Sequence, residues 1–139
     1  MHLENGYAVI NRKWRMGDLV EIGLPMNVRL VAGNPMIEDT QGKAVLMRGP
    51  MVYCVEEADN ADYFKELGDV QLLPAELKAE RRDDLLDGVV SISGTASIPT
   101  DGEEIDILAI PYYAWSNRGQ GHMKVWIPVQ MEQDKNNFH

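Results

Sequence analysis

This 139-residue chain has one cysteine, three histidines and no Asn-x-Ser/Thr triplet. A lone thiol, Cys54, excludes an internal disulfide and any zinc site built from clustered cysteines. Without the triplet there is no sign of a glycosylated, secreted surface. His2, His122 and His139 share neither a helical nor a strand spacing, so a His-based metal site or nucleophile pair lacks partners. Basic residues are scarce too: 13 against 22 acidic, for a formal net charge of −9. Such a field repels a phosphate backbone, and the one tight basic pair, Arg81-Arg82, is cancelled by Asp83-Asp84. Nucleic acid and anionic membrane are therefore not expected as partners. No apolar run is long enough for a bilayer-spanning helix. The opening MHLENGYAV has neither the basic nor the apolar region of a signal peptide, so the expected location is cytoplasmic.

What is present is a globular composition, 45% hydrophobic and 25% charged, and a length suited to one core. Short alternating runs punctuated by turn residues dominate. DLVEIGLP sets Val20, Ile22 and Leu24 on one face. KAVLMRG and MVYCVEE are apolar on both faces and separated by Gly49-Pro50, as central strands joined at a bend would be. VVSISGTASI and EIDILAI alternate again, and HMKVWIPV places Met123, Val125, Ile127 and Val129 opposite Lys124 and Trp126. Turn pairs such as Asn5-Gly6, Asp87-Gly88 and Asp101-Gly102 fall between the runs. The pattern predicts an all-β, antiparallel, jelly-roll-like sandwich with one or two short helical turns. One domain over residues 1–131 is expected, followed by a polar, frayed tail over 132–139.

Two segments depart from alternation. Ala61 to Leu67 reads as a short helix, capped by Asn60 and stopped by Gly68. PAELKAERRDDLL is rich in helix formers, although Leu77, Ala79 and Arg81 also alternate as in an edge strand; propensity alone favours helix.

Paired carboxylates are what glycoside hydrolysis needs. Here Glu56-Glu57-Asp59, Asp83-Asp84 and Glu103-Glu104-Asp106 sit in or beside turns, where acids are normally solvated, and that is the expectation for each cluster. Cys54, inside MVYCVEE, reads as a buried thiol acting as a small hydrophobe, and His122 as the opening of a strand. The aromatic stretch IPYYAWSNRG invites two readings. Tyr112, Tyr113 and Trp115, with Asn117 and Arg118, could stack on and bind a plant-type carbohydrate. The favoured alternative has the rings closing the end of a two-sheet core.

Four blocks in order, WRMGDLVEIGLPMNVRLVAGNP, GKAVLMRGPMVYCVEEADN, LLDGVVSISG and LAIPYYAWSNRGQGHMKVWIP, resemble the C-terminal part of glycoside hydrolase family 127. That family contains non-reducing-end β-L-arabinofuranosidases. The resemblance runs from about Gly6 to Pro128, and RGPMVYCVEEADN and IPYYAWSNRG are its specific blocks. It implies a separate (α/α)₆ barrel holding the catalytic Glu and Cys and a zinc site of several Cys and a Glu. Cys54 matches the Cys of the sandwich's VYC block, not the nucleophile, so no catalytic, cofactor or metal residue carries over to this sequence. The resemblance also implies strand, helical turn, strand for AELKAERRDDLLDGVV, and this replaces the helix. The expected role is a non-catalytic accessory domain whose partner is the catalytic barrel, with Asn117 and Arg118 as docking contacts. Its exposed apolar patch would favour self-association into a homo-oligomer.

Overall fold

The computed structural model describes residues 1–65 and 70–130. The fold is all-β and its strands pair antiparallel, as alternation predicts. In chain order they are β1 (His2–Glu4), β2 (Tyr7–Val9), β3 (Val28–Ala32), β4 (Lys43–Arg48), β5 (Met51–Glu56), β6 (Gln71–Arg82), β7 (Val89–Ser97), β8 (Glu104–Pro111), β9 (Met123–Lys124) and β10 (Ile127–Pro128). One helix, α1 (Ala61–Lys65), and 3₁₀ turns at Glu38–Thr40 and Tyr112–Ala114 complete the set. The expected end of the helix at Leu67-Gly68 and the tail over 132–139 lie outside the described residues.

The main sheet runs β10-β4-β5-β8-β7-β6, with β3 beside β4 and β9 beside β5. Its two ends meet. Leu72, at the start of β6, makes a parallel bridge to Val129 just past β10, and the Gln130 N–H donates to the Leu72 carbonyl at 2.9 Å. The curled sheet is thereby a sandwich closed along one seam. β1 and β2 form a separate hairpin around Asn5-Gly6, both at positive φ, as a two-residue turn of this type requires.

β4 and β5 are central strands joined by Gly49-Pro50, and Gly49 takes a φ of 56° that a branched residue would resist. Burial on both faces explains their continuous apolar sequence. On one face Leu46, Tyr53, Val55, Leu72, Ile92, Ile107, Ala109 and Ile127 form the main core. The Tyr53 hydroxyl is satisfied inside it, donating to the Val90 carbonyl at 2.8 Å. On the opposite face Cys54, Val89, Ile110 and Ala114 form a smaller core, covered by Leu85, Leu86, Met123 and Val125.

Three sequence expectations are revised, and one is borne out. Asp18–Pro25 forms no strand: alternation supplies a face, but a strand also needs a neighbour, and none of the described strands pairs with it. Gln71–Arg82 is a strand against its helix propensity, in line with the family resemblance, because pairing with β7 satisfies its backbone. The register slips between Leu73 and Lys78, where Pro74 withholds a donor and Leu77 folds onto the bare backbone of Gly94. The link to β7 is a turn rather than a helix, with Leu86, Asp87 and Gly88 all at positive φ. HMKVWIPV splits into β9 and β10, since it pairs first with β5 and then with β4. Its alternating burial survives the break.

Cys54 is fully buried, and burial, helped by the nearby Glu56 charge, pushes its thiol up to about 11 from 9.0. At pH 8 native protein is expected to react with a disulfide reagent at least about 100-fold more slowly than unfolded protein, because the thiolate fraction falls by that factor. Between pH 9 and 11 the unfolded chain loses a proton that the folded chain keeps. Stability therefore falls as pH rises through that window, which a pH series of urea melts would read.

Candidate functional site

Pro111 ends β8, and the chain turns at once through Tyr112–Ala114. A 3₁₀ turn spreads three successive side chains around its axis, so one faces the sandwich. Ala114 takes that place. Tyr112, Tyr113 and Trp115 consequently remain 44%, 70% and 37% exposed. The expectation that these rings close the core is corrected: smaller residues fill that end, and the rings stand outside it. Tyr112 and Trp115 lie with ring centroids 6.4 Å apart, tilted by 40°.

The loop bearing the rings is fastened to the end of β5. Arg118 makes a two-pronged pair with Asp59, Nη1 to Oδ1 and Nη2 to Oδ2, both at 2.6 Å. Its Nη2 also donates to Glu56 Oε2 at 2.6 Å. Asp59 and Glu56 together hold the guanidinium above its already high range, against the opposing effect of burial. The other Glu56 oxygen accepts the Ser116 N–H at 3.0 Å. Ser116 sits at a φ of 64°, a strained conformation for a non-glycine, and this bond helps hold it there. Glu57 seals the far end of the loop: its carboxylate accepts the His122 N–H at 2.8 Å, and its own N–H donates to the His122 carbonyl at 2.9 Å.

Asn60 holds the same corner from beneath. Its side chain exchanges two bonds with Leu108, accepting from the N–H at 2.7 Å and donating to the carbonyl at 2.9 Å. It also donates to the Glu56 carbonyl at 2.8 Å. The residue expected to cap α1 thus uses its carbonyl to accept the Phe64 N–H and turns its amide into the sheet, pairing with β8 as a short strand would. Asn117 is likewise directed inward, donating to the Ala114 carbonyl at 3.0 Å.

The five residues singled out in sequence therefore divide. The three rings are open to contact, while Asn117 and Arg118 hydrogen-bond within the domain. Sequence reasoning missed Glu56, Asp59 and Asn60. Glu56 was expected in solvent but is 4% exposed. The available signal was that VYCVEE runs straight on from a two-face-buried strand, so its first acid had to point inward or upward. A shallow cavity of about 350 Å³, bounded by Glu56, Glu57, Ala61, Arg118, Gly119 and Gly121, lies over the fastening. Among the described residues no set of three or more His, Cys, Asp or Glu is placed to hold a metal ion. With Glu56 and Asp59 both engaged by Arg118, the corner is a fastening rather than an acid–base pair.

RGPMVYCVEEADN and IPYYAWSNRG, the two specific blocks, are the segments that this fastening joins. A sequence model described as the glycoside hydrolase family 127 C-terminal domain matches residues 28–128. The chain is 32% identical to a non-reducing end β-L-arabinofuranosidase of Bifidobacterium longum over 89% of its own length and 21% of that protein's. It resembles the crystal structure of a family 127 β-L-arabinofuranosidase from Geobacillus stearothermophilus T6, with 36% identity and a TM-score of 0.66 over 76% of this chain and 19% of that one. A second solved β-arabinofuranosidase of the family matches at 31% identity and a TM-score of 0.59, over 76% of this chain and 17% of its own. The chain thus spans about a fifth of the length of the relatives it matches.

Proposed function

Since the chain belongs to glycoside hydrolase family 127 and matches its C-terminal domain, we propose that its role is structural: a non-catalytic sandwich that docks on the catalytic part of a larger enzyme. The observation that supports this most is the fastening itself. Arg118 engages buried Glu56 and half-buried Asp59 together, and the loop so held carries Tyr112, Tyr113 and Trp115 outward. A braced, ring-bearing surface suits a permanent contact, because little side-chain freedom is lost when it is covered. In this reading residues 1–131 belong to a single domain, and hydrolysis falls to a separate (α/α)₆ barrel. The purified chain is expected to release no aryl group from aryl β-L-arabinofuranosides, with or without added zinc. Reproducible turnover would overturn the proposal.

The exposure of the rings also favours a second reading, a carbohydrate-binding module. A sugar would meet Tyr112, Tyr113 and Trp115 by stacking, with Asn117 and Arg118 contributing only by holding the loop. Titration with arabinofuranosides and plant oligosaccharides, followed by tryptophan fluorescence, separates the two. A saturable change lost in Trp115→Ala supports sugar binding, and no change at millimolar ligand rejects it.

A further inference from the structure

Seven arginines face 22 acidic residues in this chain. Among the described residues Arg12, Arg81, Arg82 and Arg118 each pair with an aspartate or glutamate, and Arg15 and Arg29 are exposed. Arg48 is neither. It is half-buried, and no described carboxylate forms an ion pair with it. A guanidinium taken partly out of water with no counter-charge calls for a reason beyond packing.

Register explains where Arg48 stands. Leu46 belongs to the main core, and alternation along β4 puts Arg48 on the same face, opposite Val28 of β3 and Met51 of β5. It therefore closes one end of the core, beside the Gly49-Pro50 bend. The Tyr53 hydroxyl accepts from this guanidinium while donating its own proton to the Val90 carbonyl. That contact uses one part of the fork and leaves other N–H donors free. Tyr53 is paired with Pro111, so Tyr113, two residues further on, arrives at the same end, near enough to act electrostatically on Tyr53. Tyr112 lies against Trp115, whereas Tyr113 is 70% exposed and has no ring partner among the described residues. Arg48 and Tyr53 come from RGPMVYCVEEADN and Tyr113 from IPYYAWSNRG. The two specific blocks thus meet a second time, away from the fastening at Arg118.

A planar fork of donors matches a carboxylate. A phosphate dianion fits less well, because one guanidinium stands against a net charge of −9. The Tyr113 ring offers an apolar face to whatever carries the carboxylate. We infer that Arg48 and Tyr113 form a binding site for a small ring-bearing carboxylate, its carboxylate on the guanidinium and its ring against the phenol. This goes beyond both readings above, neither of which uses Arg48. A sugar acid and an aromatic acid share this chemistry.

The test is NMR titration of the full chain with sodium glucuronate and, separately, sodium benzoate, at constant ionic strength. The Arg48 Nε–H and Tyr113 ring signals are followed, using whichever of the two a variant retains. Saturable shifts with a Kd at or below about 5 mM are expected from at least one probe. Binding of glucuronate alone assigns the site to sugar acids, and binding of benzoate alone to aromatic acids. Arg48→Met keeps the apolar stem and is expected to weaken binding at least about tenfold, and Tyr113→Ala about threefold. Lys78→Met removes the same charge from an exposed position of β6 and should leave affinity within about twofold. Because the Tyr53 hydroxyl keeps its Val90 partner, Arg48→Met should leave the urea midpoint unchanged or raised. No saturable shift with either probe, equal weakening in Arg48→Met and Lys78→Met, or a lowered urea midpoint in Arg48→Met would each overturn the inference.

Discussion

Arg118→Ala is expected to lower the stability of the domain by about 3 kcal/mol and to loosen residues 112–122. The size follows from what is left behind. Glu56, 4% exposed with Arg118 in place, loses its cation, and Asp59 loses both of its charge-assisted bonds. Removing the cation from a partly buried cluster strands the covered Glu56 carboxylate, which costs more than the pair contributes when intact. For a domain of this size the thermal midpoint should fall by roughly 10 °C. Arg118→Lys recovers part of the loss, because an ammonium meets one carboxylate but lacks the planar fork that serves two. Adding Glu56→Gln to Arg118→Ala should recover more, by removing the stranded charge. A double-mutant cycle is expected to give a coupling of at least about 1 kcal/mol. Limited proteolysis gives a local readout, with new cleavage within 112–122 in Arg118→Ala. A midpoint within 1 °C of the parent protein would show that the fastening contributes nothing to stability.

Asn60→Ala is the second large effect, expected to cost about 3 kcal/mol by a different route. The side chain is 3% exposed and makes three bonds: two to the Leu108 backbone and one to the Glu56 carbonyl. Alanine leaves a buried N–H and two carbonyls without that partner. Asn60→Asp keeps the acceptor for the Leu108 N–H but loses the donors and adds a negative charge near Glu56 and Asp59, so it should be at least as damaging. If Asn60 were only a helix cap, Asn60→Asp would be nearly neutral, since Asp caps as well as Asn. Urea melts of the two variants side by side distinguish these roles.

Most of the sandwich was legible because burial imprints itself on local sequence. β4 and β5 are apolar on both faces because each is covered on both. β7 and β8 alternate more, and Gly49-Pro50 marks the bend because few residues accept its backbone. Asp18–Pro25 was misread for the complementary reason: Val20, Ile22 and Leu24 describe a face but not what it faces. In β6 the helix formers describe a local preference of a few tenths of a kcal/mol per residue, which pairing with β7 on both sides of the register slip outweighs. The rings were misread because alternation says nothing about a 3₁₀ turn that spends its one inward position on Ala114.

By itself the sequence determined the fold class, the family and the exclusion of an internal disulfide, because those rest on composition, period and two distinctive blocks. Only the tertiary structure decided what the blocks do. Glu56 and Asp59 are separated from Arg118 by about sixty positions, and their pairing depends on β5 and the loop after β8 meeting at one corner. Charge identity is local information, whereas charge partnership is set by the path of the chain through space. Glu56, which looked solvated, is buried and Asp59 half-buried where that path brings a guanidinium to them.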